Sequence, residues 1–340
     1  MAVGRRYRRG AGMAPLAPAG SGLYPPRAGA PRRARRPRPT PEAGLPEPCL
    51  HRRTFLRGLG AALALPAALP AAARAAGVPG TRAAARARVE RIGLQLYALR
   101  DAFKADPART LGDIAAIGFQ EVELVDWAGN WGVDAPRLRQ LLDAARLTAP
   151  STHTSTAALD DIPRLIGDAQ TLGHQYVIVS SLPLKPGQAT LDDYRRWADR
   201  FNAAGETVRR AGLWLGFHDE AEDFAPIGGQ VPYEVFVDRL DPTRVRLQLD
   251  TGNAAVGGRD PLVYMERYAD RYWSFHLKDA ERIGAPHDTE LGRGVVDLRR
   301  ILARAGSLAG KHVYVEQETY PGAPVDSIRR DYQYLAALTY

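Results

Sequence analysis

Residues 245–253 read Val245-Arg246-Leu247-Gln248-Leu249-Asp250-Thr251-Gly252-Asn253. Apolar and polar side chains alternate over the first six, the two-residue period of a β-strand. The flanking segments have helical patterns, so the apolar set packs under helices and the polar set faces an enclosed interior. A polar interior is costly unless its groups bind one another or a ligand. The pattern recurs where Val313 and Val315 alternate with His312, Tyr314 and Glu316, and where Trp273 and Phe275 alternate with Ser274 and His276. Each run ends on, or close to, an acid or a histidine.

Working outward, strands are expected at Ile92–Tyr97, Glu121–Val125, Leu147–His153, Tyr176–Ser180, Leu213–His218, Val245–Asp250, Tyr272–Leu277 and His312–Glu316. Helical patterns lie between them at Ala108–Ile117, Ala135–Ala145, Leu159–Leu172, Asp192–Ala211, Pro261–Tyr268 and Leu298–Ala305, and a last one covers Val325–Leu338. Eight strands alternating with helices predict a parallel sheet closed into a (β/α)8 barrel. An open doubly wound sheet is the alternative. No Gly-x-Gly-x-x-Gly loop follows the first strand, which argues against a dinucleotide fold.

The chain has 340 residues, 45% of them hydrophobic, enough for a large core. Its net charge of +8 is localised: residues 1–57 hold 13 arginines and two acids, which leaves the other 283 residues at −3. A basic tail on a mildly acidic body offers no footprint for a phosphate backbone, so nucleic acid is not an expected partner. The only cysteine, Cys49, lies in that tail, so neither an intrachain disulfide nor a cysteine-ligated zinc can form.

Residues 1–50 are rich in Arg, Pro, Gly and Ala without apolar period and read as a disordered tail. His51-Arg52-Arg53-Thr54-Phe55-Leu56-Arg57, the apolar stretch Gly58–Ala73 and the small-x-small Ala73-Arg74-Ala75 make the three parts of a secretory signal over 51–75. The paired arginines resemble the twin-arginine export signal, with the twin-arginine machinery as partner, no stable membrane anchor and a periplasmic or secreted destination. A plain basic, alanine-rich tail is the alternative. Residues 76–90 read as a linker and 91–340 as the barrel, close to the roughly 250 residues such barrels take.

Active sites of these barrels sit at the C-terminal ends of the strands. Four strand ends supply candidates: His218 in Phe217-His218-Asp219-Glu220, then Asp250, His276 in Phe275-His276-Leu277-Lys278-Asp279, and Glu316 in Val315-Glu316-Gln317-Glu318. They are spaced by 32, 26 and 40 residues, about one strand-helix unit each, which puts them around one mouth. Carboxylates with imidazole suit Mn, Mg, Co, Fe or Zn, and a divalent cation relieves the repulsion between the acids. Lys278 and Asp279 are either a simple ion pair or part of the chemistry.

From Ile92 to Tyr340 the chain resembles the xylose-isomerase-like family of sugar phosphate isomerases and epimerases. The matching pieces are Gly93-Leu94-Gln95-Leu96-Tyr97 with Arg100-Asp101, Gly118-Phe119-Gln120-Glu121-Val122-Glu123-Leu124, Leu249-Asp250-Thr251-Gly252-Asn253, His276-Leu277-Lys278-Asp279, Gly292-Arg293-Gly294-Val295-Val296-Asp297 and Val315-Glu316-Gln317. The resemblance implies a TIM barrel with one divalent metal ion, held by a fifth-strand residue, Asp250, His276 and Glu316. Relatives read Tyr-His-Asn-His and then Phe-Glu-Phe at the fifth strand, where this chain has Phe217-His218-Asp219-Glu220 and then Glu222-Asp223-Phe224. By alternation His218 and Glu220 both point inward. His218 is favoured as the ligand, and Glu220 as a neighbouring ligand or base.

Glu123 and His153 fall where the family lines its substrate pocket. Tyr97, Trp127 and Trp131 are aromatic candidates for a sugar face, packing being the plainer role. Arg282 and Arg293 are the nearest basic groups for a substrate anion. The expected chemistry is a sugar isomerase or epimerase: a base, Glu316 or Glu220, removes the proton beside a carbonyl, a metal-stabilised enediolate forms, and Lys278 steadies the oxyanion or returns the proton. Elimination from 3-keto-glycosides and a silent carbohydrate-binding barrel are the alternatives. An exported enzyme would meet free or oxidised sugars rather than sugar phosphates. Neither the sugar, the metal's identity nor the oligomeric state is written in the residues.

Overall fold

A computed structural model describes residues 87–340. The tail, the export signal, Cys49 and most of the linker lie outside the described residues. Eight parallel strands close into one barrel: β1 Gly93–Gln95, β2 Glu121–Val125, β3 Thr148–Thr154, β4 Tyr176–Val179, β5 Trp214–His218, β6 Val245–Asp250, β7 Tyr272–Leu277 and β8 His312–Val315. The last pairs with the first through Gly93↔Tyr314 and Leu94↔Val315, so no edge remains. Helices cover the outside, and no described helix is long and apolar enough to cross a membrane.

The side chains divide as the alternation requires. Val245, Leu247, Leu249, Phe275, Val313 and Val315 are buried in the shell between strands and helices, while Gln248, Asp250, Ser274, His276 and Tyr314 are buried inside the barrel. Parallel register then sets their neighbours: His218 lies opposite Gln248, Gln248 opposite Ser274, Asp250 opposite His276, and His276 opposite Tyr314.

One expectation fails locally. Between β6 and β7 the register shifts at Leu247 and Gln248, and Trp273 is the residue left unpaired. Instead of packing under a helix, its ring lies 3.3 Å from the Arg246 guanidinium, whose other face meets Trp214 at 3.6 Å. This stack closes the N-terminal end of the barrel.

Helix starts follow a repeated device. Asp106, Asp134, Asp161 and Asp260 each accept a backbone N–H of the first turn, and each precedes a proline at the first or second helical position. The expected helix at Leu159 therefore begins only at Ile162, after a separate 3-10 turn over Thr156–Asp160. The helices Arg100–Ala105, Pro232–Arg239 and Thr251–Val256 were not expected, nor was the antiparallel ribbon of Asp279–Ala280 with Asp288–Thr289 beside the mouth.

Candidate metal centre

His218, Asp250, His276 and Glu316, from β5, β6, β7 and the residue after β8, each present one ligand atom within 4.8 Å of the others, and all four are buried. His153, at the end of β3, forms a second such group with His218 and His276. The four strand-end candidates are thus brought together.

Gln248 sets the state of the histidines. Its Nε2 faces the Glu123 carboxylate at 2.9 Å and Ser274 at 2.8 Å, so its Oε1 is the atom that faces the rings. That oxygen accepts from His153 Nε2 at 2.7 Å and from His218 Nδ1 at 3.0 Å. The His218 proton is therefore on Nδ1, and the Nε2 lone pair faces the Asn253 amide at 3.4 Å, with Asp250 Oδ2 3.9 Å away.

Glu123 is fully buried beneath the cluster. Its Oε2 accepts from His276 Nε2 at 2.5 Å and from Gln95 at 2.8 Å, and its Oε1 accepts from Ser151 at 2.6 Å. The carboxylate fixes the ring of His276 and leaves Nδ1 pointing to Glu316 Oε2 at 2.8 Å. A carboxylate behind a histidine is the ordinary support of a ligating imidazole. Burial alone would lower the His276 pKa, but the charges of Glu316 and Glu123 outweigh it and hold the ring up at about 10. Burial raises the Glu123 carboxyl, yet His153 and His276 bring it down to about 2.

Asp250 caps the helix that follows it: Oδ1 accepts from the N–H groups of Gly252 and Asn253 at 2.8 Å each. Its Oδ2 is buried and accepts no well-aligned hydrogen bond, the Lys278 ammonium being its near cation at 3.2 Å. Burial pushes its carboxyl up to about 7, partly offset by Lys278. Burial also works against the charge of Glu316, but Lys278 and His276 hold that carboxyl well below the usual range. A buried carboxylate oxygen that accepts no well-aligned hydrogen bond, beside an imidazole lone pair and a second acid, is a donor set that could hold a metal ion, and the residues fit one.

Lys278 Nζ lies 3.2 Å from Asp250 Oδ2, 3.4 Å from Glu316 Oε2 and 2.7 Å from Glu318 Oε1. It has no ion pair with Asp279. That buried carboxylate instead accepts from the N–H groups of Ala280, Gly292, Gly294 and Val296, tying the loop after the ribbon. A side chain at position 294 would meet the Ala280 carbonyl 2.2 Å from its Cβ, which explains Gly294.

Glu220 stands at the edge of the cluster. Half-buried, it caps a 3-10 turn over Ala221–Phe224, and its Oε2 accepts from Asn253 Nδ2 at 3.2 Å. Burial raises its carboxyl well above the usual range. Tyr97 is half-buried, 5.8 Å from the exposed ring of Trp127, whereas Trp131 packs on Phe103 at 5.5 Å. Arg293 does not reach the cluster. Its side chain is 66% exposed and pairs with Glu290 at 2.9 Å, because Gly292 and Gly294 on either side are pinned to Asp279. Arg282 is likewise exposed.

Gln248, Asn253 and Glu318 were not singled out in the sequence. Gln248 had one available signal, its place in the inward set of β6. The others depend on contacts between strands that spacing does not reveal.

The sequence matches the family described as xylose isomerase-like TIM barrel over residues 111–338. It is similar to the inosose dehydratase of Geobacillus kaustophilus (strain HTA426), 35% identical over 198 residues, which are 50% of this chain and 61% of that protein. The chain spans less than two thirds of the length of the curated relatives it matches, from 30% to 61%. In fold it is similar to a sugar phosphate isomerase/epimerase from Parabacteroides distasonis ATCC 8503, with a TM-score of 0.62 at 23% identity over 75% of this chain and 98% of that one. It is also similar to a xylose isomerase-like TIM barrel protein from Mycobacterium smegmatis in complex with magnesium, with a TM-score of 0.57 at 17% identity over 72% and 94%.

Proposed function

The chain belongs to the xylose isomerase-like TIM-barrel family, and on that premise we propose a divalent-metal-dependent enzyme that removes the proton beside the carbonyl of a sugar or a related polyol, with isomerisation or epimerisation as the outcome. The observation that carries this reading is the convergence of His218, Asp250, His276 and Glu316 in one buried cluster, where the carboxylates of Asp250 and Glu316 face two imidazoles. A divalent ion held there would draw charge from the substrate's carbonyl and hydroxyl oxygens and acidify the neighbouring C–H.

The chain's own groups do the rest. Glu220, held by Asn253 at the edge of the cluster and with its carboxyl raised by burial, is the group that takes the proton. Glu123 and Gln248 each hold one ring nitrogen, of His276 and His218 respectively, and so turn the other toward the acids. Tyr97 and Trp127 offer aromatic surface at the mouth for the ring of the substrate. Proton return to the adjacent carbon isomerises, and return to the opposite face epimerises.

A second reading shares the proton abstraction and differs afterwards: departure of a β-hydroxyl gives dehydration. The similarity to inosose dehydratases favours it. Export through the twin-arginine route, read from residues 51–75, makes unphosphorylated substrates the first to try.

The test is incubation in D2O with keto-sugars and inososes, with and without added Mn2+, Mg2+ or Zn2+. Metal-dependent deuterium uptake with the substrate's formula retained supports isomerisation or epimerisation. Loss of water with appearance of an unsaturated ketone supports dehydration. A protein that binds none of these ions and exchanges no C–H would sink both readings.

A further inference from the structure

We infer that Lys278 is a resident counter-cation: its ammonium and a divalent metal ion are alternative occupants of the Asp250–Glu316 carboxylate pair, and loading the metal moves the ammonium onto Glu318 at the mouth. The inference rests on the metal-centre reading above.

Lys278 is buried, 3% exposed, and its Nζ touches Asp250 Oδ2, Glu316 Oε2 and Glu318 Oε1 at 3.2, 3.4 and 2.7 Å, with Asn253 Oδ1 at 3.2 Å. The first two oxygens also face His276 Nδ1, at 3.9 and 2.8 Å, so the ammonium reaches the very oxygens the donor set would use. Two cations cannot both lie against them without strong repulsion in so dry a place. One must give way, and the ammonium is the one on a flexible stem.

Its placement is built. Thr251 Oγ1 donates to the Lys278 carbonyl at 2.6 Å and accepts from its N–H at 3.0 Å, which holds the backbone. The stem then lies across Gly252, where any Cβ would sit 2.3 Å from Lys278 Cγ. A larger residue at 252 would deny the ammonium its path to the acids.

The exit is built too. Glu318 is 46% exposed, and its backbone is fixed by Asp288, which accepts from the N–H groups of Glu318 and Thr319 at 2.5 and 2.8 Å. Lys278 can release Asp250 and Glu316 while keeping Glu318. In the metal-free protein the ammonium thus offsets charge that would otherwise leave two buried acids unpaired. The metal must displace it, so affinity is set below what the ligands alone would give.

The experiment compares metal-stripped wild type, Lys278→Met, Glu318→Gln and the double variant. Mn2+ affinity is read by competition with a chelating dye, and Tm with and without Mn2+. Lys278→Met should bind Mn2+ tighter by about tenfold or more, lower the metal-free Tm and gain more Tm from the ion than wild type does. Glu318→Gln should weaken Mn2+ binding, since the displaced ammonium loses its anchor, and should have little further effect in the Lys278→Met background.

A Lys278→Met protein that binds Mn2+ no tighter than wild type overturns the inference and leaves the metal reading standing. If Lys278→Met folds only with metal, Glu318→Gln decides, and unchanged affinity there overturns the inference. Failure of every variant and of wild type to bind Mn2+ or Zn2+ removes the metal reading and this inference with it.

Discussion

Both ends of the barrel pair a glutamate with a histidine across strands, and they differ in what surrounds the pair. At the N-terminal end, Glu121 Oε2 accepts from His312 Nδ1 at 2.8 Å, and Glu121 Oε1 lies 3.2 Å from Arg91, one acid between two basic groups. Beside them the Arg246 guanidinium is stacked between two indoles. At the C-terminal end Glu123, Asp250, Glu316 and Glu318 share His276 and Lys278. One end neutralises itself. The other carries surplus carboxylate inside a low-dielectric shell, which fits a cation that the protein does not itself supply.

The sharpest way to break this contrast is Glu316→Gln. Turnover should fall about a hundred- to ten-thousandfold and metal binding should weaken, while circular dichroism shows the barrel intact. Wild-type rates in that variant would remove the C-terminal end from the chemistry. Next comes Glu123→Gln, which leaves all four candidate ligands in place and should cost about ten- to a hundredfold in metal affinity, measured by dye competition.

The converse experiment is Glu121→Gln at the other end. It should lower stability by about 1–3 kcal/mol in urea unfolding and leave the rate per folded molecule unchanged. A loss of turnover there would mean that the two ends are not independent.

The smallest effect is expected away from both ends. Burial holds the His174 pKa down to about 4, despite the Ala149 carbonyl its Nδ1 donates to. A histidine depressed in the folded state contributes stability that is present above its unfolded pKa of about 6.5 and lost as pH falls toward 4. His174→Gln should therefore remove about 1 kcal/mol of the loss between about pH 7 and 5.5. An unchanged slope would assign the acid sensitivity to the carboxylate-rich end instead.

The strands were legible because their alternation is imposed by two different environments, helices outside and polar groups inside. Val245–Asp250 and Tyr272–Leu277 fall where the pattern puts them. Pro232–Arg239 was not: Tyr233, Phe236 and Val237 keep a helical spacing, but over only eight residues Val235-Phe236-Val237 suits a strand as well. That the four candidate ligands meet could be read because strand ends in a closed barrel share one rim. The role of Glu123 could not, because it depends on a contact between residues 153 positions apart. The outward direction of Arg293 could not be read for a related reason: its flanking glycines mark a tied backbone, and the guanidinium pairs with Glu290.

The tie at Asp279 has a further consequence. One buried carboxylate gathers the amides of residues 292, 294 and 296, so the route of the rim segment is fixed by main-chain atoms. The side chains of Arg293 and Val295 take no part in the tie to Asp279 and are exposed, while the Val295 N–H adds a bond to the Ala280 carbonyl. These two positions are a natural place to retune what approaches the barrel, since new side chains there can alter selectivity while the scaffold beneath keeps its course.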